Sequence, residues 1–85
     1  MSNRLYIEFM GRIPSKLHIL SRLHVLRAEK RISQQDLADE VGVTRATINA
    51  IESGGYNPSL ELAFRLARFF DTDIQSIFSV EDGKK

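Results

Sequence analysis

One stretch constrains this chain more than any other: Ser33 to Gly54, SQQDLADEVGVTRATINAIESG. It holds two short amphipathic helices with almost no room between them. The first is expected from Gln34 to about Val41, with Leu37, Ala38 and Val41 on one stripe at helical spacing. Ser33 is a good N-cap, Asp36 three residues on completes a capping box, and Ile32 can staple onto Leu37. Gly42 supplies the positive-φ stop. Thr44 opens the second helix at once, with Val43 placed to staple onto Ile48. Its inner face is Val43, Thr47, Ile48 and Ile51. Its outer face is Arg45, Ala46, Asn49 and Ala50, short and polar, the mark of a surface held out for a partner.

Two helices joined this tightly form a helix-turn-helix, whose second helix enters the DNA major groove N-terminus first. The stretch also resembles the Cro/CI-like, or XRE-family, DNA-binding domains. The matching pattern is S-Q-x-x-L-A-x-x-V-G-V-T-x-x-x-I-x-x-I-E-x-G, followed by Y-N-P-S-L-x-L-A, and it runs from about Leu23 to Phe78. The resemblance implies an all-α, five-helix, lambda-repressor-like domain that regulates transcription.

The remaining sequence is read around that motif. Eighty-five residues make one small domain. No apolar run approaches the roughly 20 residues needed to span a bilayer, and no signal-peptide layout opens the chain, so a cytoplasmic location is expected. With no cysteine, disulfides and thiolate metal sites are excluded. The net charge of +1 says little about nucleic acid, but residues 1–31 hold seven Lys/Arg against two acids and residues 32–85 five against nine. A basic part beside an acidic part suits a molecule with one face for phosphate.

In residues 1–14, Leu5, Ile7 and Phe9 alternate with Tyr6, Glu8 and Met10 at strand periodicity until Gly11 and Pro14 break it. This arm departs from the family pattern. It is read as disordered, as an extension foreign to the domain, or as a strand that pairs with a second copy. The domain proper is expected over residues 15–80, and residues 81–85 as a frayed polar tail. Ser15 or Ser21 can cap the first helix, which runs to about Arg31; the spacing of Ile19, Leu20, Leu23, Leu26 and Arg27 leaves the longer form open beside the shorter. Gly54 and Gly55 turn the chain after the second motif helix, and Pro58 with Ser59 start a fourth helix from Leu60 to about Phe70. Its inner stripe is Leu62, Ala63, Leu66, Ala67 and Phe70, with Phe64 and Phe69 outside it. Thr72 and Gln75 form a capping-box pattern for a short fifth helix bearing Ile74, Ile77 and Phe78.

Catalysis finds no support. Asp36, Asp39 and Glu40 serve capping and solvation, no phosphate loop or nucleophile motif is present, and His18 and His24, six apart, lack the spacing of metal ligands. No cofactor, metal or small-molecule ligand is expected.

For DNA, specific residues have specific chemistry. Gln34 begins its helix, where an amide and free N–H groups can meet a phosphate, a use the resemblance also implies. Thr44 caps the second helix and can reach a phosphate. The Arg45 fork matches the two acceptors of guanine or holds a phosphate, Ala46 allows close approach to a thymine methyl, and Asn49 can pair with adenine or face the backbone. Ala50 acts as a spacer, and Thr47 divides between packing and contact. The resemblance implies phosphate contacts from Tyr56 and Asn57, though Tyr56 can equally cover its own loop. Arg27 lies on a core-facing stripe and needs a partner; the resemblance supplies Glu52, in a bidentate ion pair, against the alternative of an outward-reaching Arg27 and an exposed Glu52.

One such domain covers about half a turn of DNA, so the family resemblance implies a homodimer on a palindromic site with half-sites roughly 34 Å apart. Ile74, Ile77 and Phe78 are the candidate dimer surface, or part of the monomer core. The expected function is a sequence-specific repressor binding double-stranded DNA. An antitoxin that also masks a toxin and a protein-interaction module without DNA are the alternatives.

Overall fold

The computed structural model describes residues 17–81. Five helices follow one another: α1 (Leu23–Lys30), α2 (Gln34–Val41), α3 (Arg45–Glu52), α4 (Leu60–Phe69) and α5 (Ile74–Ile77). Two four-residue strands, β1 (His18–Ser21) and β2 (Phe78–Glu81), flank them. The five helices of the expected all-α domain are present, but the domain is mostly rather than wholly helical, because this ribbon is added.

Local chemistry sets most helix ends. Ser33 Oγ accepts from the Asp36 N–H while the Asp36 carboxylate accepts from the Ser33 N–H, at 2.9 and 3.2 Å, the reciprocal box read from the sequence. Gly42 ends α2 at φ +80°, and its N–H donates to Ala38 O. An added Cβ there would stand 3.1 Å from Arg65 Nη1, which itself donates to Val41 O and closes the end of α2. Thr44 and Ser59 cap α3 and α4 through the Thr47 and Leu62 N–H groups.

The packing follows the expected stripes. Leu23, Leu37, Ile48, Ile51, Leu66 and Ile77 are fully enclosed, joined by Ala38, Val41, Leu62 and Ala67. Each such large side chain removed from water contributes about 1.5–3 kcal/mol. Among the described residues no helix is long and apolar enough to cross a membrane.

Three expectations are corrected. The first helix does not begin near Ser15: α1 starts at Leu23, with the Ser21 hydroxyl accepting from its N–H at 3.1 Å. Ile19 and Leu20 instead belong to β1, paired antiparallel with Val80 and Ser79. Glu81, expected in the frayed tail, closes that ladder opposite His18. The cap of α5 is Asp73, not Thr72, because its carboxylate accepts from both the N–H and the hydroxyl of Ser76, at 2.8 and 2.7 Å. The Arg22 N–H donates to Ile77 O at 2.8 Å, so the ribbon clasps the start of α1 to the end of α5. The strand, arm and Ser15 readings, and residues 82–85, lie outside the described residues.

The candidate dimer surface also changes. Ile77 is fully buried in the monomer core, and Phe78 packs against that core from the first position of β2. Ile77 offers nothing to a partner, and its burial is explained by the fold of one chain alone.

Candidate nucleic-acid interface

Because Thr44 follows Gly42 after one residue, α2 and α3 are locked together, and their shared core residues Leu37, Ala38 and Ile48 are fully buried. That packing turns the other side of α3 outward. Arg45, Ala46 and Asn49 are exposed, while Thr47 and Ala50 are half-buried. Thr44 Oγ1 is committed to the cap and shares a hydrogen bond with the Thr47 hydroxyl at 3.1 Å. Thr47 thus serves packing and the helix start together. Tyr56 and Asn57 are exposed in the loop after α3, and Tyr56 borders a shallow depression with Val43, Thr47, Ser59 and Arg65.

Behind this face stands the expected ion pair. Arg27 Nε donates to Glu52 Oε2 at 2.8 Å and Arg27 Nη2 to Glu52 Oε1 at 3.2 Å, with Nη1 held by Ile32 O at 3.0 Å. The exposed-Glu52 alternative is thereby excluded: its side chain keeps 9% of its accessible surface. Burial pushes the Glu52 carboxyl up, but hydrogen bonds from Arg27 and Gln34 and the guanidinium charge outweigh it and hold it below its ordinary value. The same hydrogen bond raises Arg27.

Gln34 is where the structure exceeds the sequence reading. Its Nε2 donates to Glu52 Oε1 at 2.9 Å and to Asn49 Oδ1 at 3.2 Å, and its Oε1 accepts a long 3.4 Å hydrogen bond from Arg45 Nε. The first residue of α2 therefore touches two outer-face residues of α3 and the acid at its end. Sequence reasoning gave Gln34 a phosphate and missed this cluster. Only the resemblance, through the Arg27–Glu52 pair, pointed near it.

The arrangement offers a helix face with hydrogen-bonding side chains, Arg45 and Asn49, around a small Ala46, backed by a charge-neutral pair. That composition suits the edges of bases in a major groove. Comparison with known proteins identifies the family. Residues 23–77 match the family described as Helix-turn-helix. An uncharacterized HTH-type transcriptional regulator of Methanocaldococcus jannaschii is 50% identical over 62 residues, covering 73% of this chain and 94% of that one. RstR, the cryptic phage CTXphi transcriptional repressor of Vibrio cholerae, is 34% identical over 59 residues, covering 69% of this chain and 53% of that one. The crystal structure of the restriction-modification controller protein C.AhdI from Aeromonas hydrophila matches with a TM-score of 0.60 and 35% identity, over 64% of this chain and 82% of that one. These relatives are regulators rather than an enzyme class. The chain belongs to the helix-turn-helix family of DNA-binding transcriptional regulators.

Proposed function

We propose that the protein binds a short palindromic operator as a homodimer and represses by occluding a promoter. The observation that carries this reading is the outer face of α3: Arg45 and Asn49 are exposed and steadied from behind by Gln34, with only Ala46 between them in bulk. In this reading Arg45, Ala46 and Asn49 address bases. Thr44, Thr47, Ala50, Tyr56 and Asn57 line the backbone or space the helix from it. The relationship to a phage repressor favours repression. A DNA partner keeps the expected cytoplasmic location part of the same reading.

A second copy is the partner that the remaining apolar surface suits. Leu60 and Phe64, one turn apart on α4, are 70% and 54% exposed. Beside Phe64 lies an open groove lined by Ala67, Arg68, Thr72, Asp73 and Ile74. Arg68 and Asp73 carry opposite charges within one patch, so a two-fold axis passing between them would set each copy's Arg68 against the other's Asp73, a self-complementary arrangement of the isologous kind. The dimer surface is therefore proposed on Leu60, Phe64 and Ile74.

Selection from a random duplex pool, followed by titration of the enriched sequence at several salt concentrations, tests the operator. A palindrome bound less tightly as salt rises is expected. The absence of any enriched sequence contradicts it. Light scattering of Phe64→Glu beside the unaltered protein tests the surface: a dimer reduced to monomer is expected, and an unchanged mass refutes that assignment.

A further inference from the structure

We infer that residues 5–9 of this chain form a third strand on the open edge of β1, antiparallel to it and with Ile7 opposite Ile19. This goes beyond the operator reading and does not depend on it.

The ribbon is open on the side of β1. Among the described residues β1 and β2 form a two-stranded sheet, each strand only four residues long. A ribbon of this size is marginal in water by itself, and an edge strand presents a row of unpaired N–H and C=O groups. Both strands lie outside residues 23–77, the stretch that matches the family, so the family fold does not account for this edge. β2 leads directly out of α5 and packs Phe78 on the core. β1 has no such anchor on its outer face, where Leu20 stands opposite Ser79, a side chain too small to cover it, and stays 43% exposed.

The chain itself supplies the occupant. Residues 1–16 lead straight into β1, and in them Leu5, Ile7 and Phe9 alternate with Tyr6, Glu8 and Met10 at the period of a strand. A strand so near in sequence reaches β1 through a short reversal and needs no second chain. Gly11 and Pro14 fall within that reversal, where neither interrupts a ladder. Register follows from the faces. Burial alternates along β1, with Ile19 and Ser21 inward and His18 and Leu20 outward. A slip of one residue would turn Glu8 inward against Ile19, so Ile7 and its odd-numbered neighbours take the inner face. With Ile7 opposite Ile19, Leu5 meets Ser21, Tyr6 covers Leu20, and Glu8 faces His18. Shifted by two residues either way, Leu20 would face Arg4 or Glu8 instead. An aromatic over an aliphatic side chain and a carboxylate beside an imidazole are the pairs that stabilise a sheet. This register also sets His18 between Glu8 and Glu81, the latter already 3.4 Å away. Through the bond from the Arg22 N–H to Ile77 O, the three-stranded sheet braces α5, which bears Ile74 of the proposed dimer surface.

The chain has no cysteine, so introduced pairs report the contact without interference. Residues directly opposite in an antiparallel pair stand about 4.5–5.5 Å apart at Cα, within the roughly 4.4–6.8 Å that a disulfide spans. Three double variants of the full chain are oxidised and weighed without reductant. They are Tyr6→Cys with Leu20→Cys, Ile7→Cys with Ile19→Cys, and, as a mismatch, Ile7→Cys with Leu20→Cys. Adjacent pairs alternate between close and wide spacing, so at least one of the first two is expected to close within a single chain. It should close at least about tenfold faster than the mismatch, whose side chains lie on opposite faces. Equal closure of the mismatch means an arm without register and overturns the inference. Closure only between two chains assigns the arm to a second copy and also overturns it, as does no closure in folded protein. Should the cysteine variants lose the helical circular dichroism of the unaltered chain, amide exchange decides. The β1 N–H groups that point away from β2 are expected to exchange at least about tenfold more slowly in the unaltered chain than in Ile7→Pro. Equal exchange in the two overturns the inference.

Discussion

The middle of the chain and its two ends are built in opposite ways. Between Ser33 and Glu52 every element is announced by its own neighbours: a capping box, a left-handed glycine, a second cap, and apolar residues at helical spacing. The ends carry no such punctuation. β1 and β2 are four residues each, lie at opposite ends of the described chain, and exist only because Ile19 finds Val80 and Ser21 finds Phe78. A unit specified locally can present a rigid reading face. A clasp specified by a distant partner can only hold that unit in place.

That contrast is open to test, beginning with the largest effect. Ile48→Ala removes a fully buried side chain between α2 and α3 and is expected to cost about 2–5 kcal/mol in urea unfolding, enough to threaten a domain of this size. Glu52→Ala leaves Arg27 partly buried and unpaired; because the guanidinium retains some solvent contact, a loss of about 1–3 kcal/mol is expected by the same measurement. Thr44→Ala deletes the cap of α3 and should cost about 1 kcal/mol. Glu81→Ala, which removes only the exposed 3.4 Å contact to His18 at the ribbon, should change stability by less than about 0.5 kcal/mol. A ribbon variant more costly than the cap variant would break the contrast.

The pH dependence sharpens it further. Glu52 is held below its ordinary value, so its contribution is fully present above the unfolded value, about 4.3, and is lost as pH falls through the lower folded value. Unfolding free energies of the unaltered protein and Glu52→Gln should therefore differ most at neutral pH and converge in acid. A gap that widens on acidification would contradict the ion pair as described.

Legibility in the sequence divides along the same line. The caps of α2, α3 and α4 and the buried stripes were readable because each rests on residues three or four apart. The longer first helix failed because Ile19, Leu20 and Leu23 satisfy a helical spacing as easily as a strand entering a helix, and the strand's partner is 61 residues further on (Ile19 to Val80, 80 − 19). Thr72 and Asp73 each stand three residues before a suitable partner, and the stronger acceptor took the cap. The candidate site was legible as a list of residues, not as a mechanism. Gln34, Asn49 and Glu52 meet through side chains separated by 15 and 18 residues, and no periodicity records such a meeting. The Arg27–Glu52 pair was foreseen only by resemblance.

The central claim is that the outer face of α3 reads base edges. Its most direct measurement is the affinity of Arg45→Ala for the selected operator and for a scrambled duplex of equal length, at one salt concentration. Base reading predicts a loss of about 1–3 kcal/mol on the operator and little change on the scrambled duplex. An equal loss on both would show that Arg45 holds only phosphate and would contradict the claim.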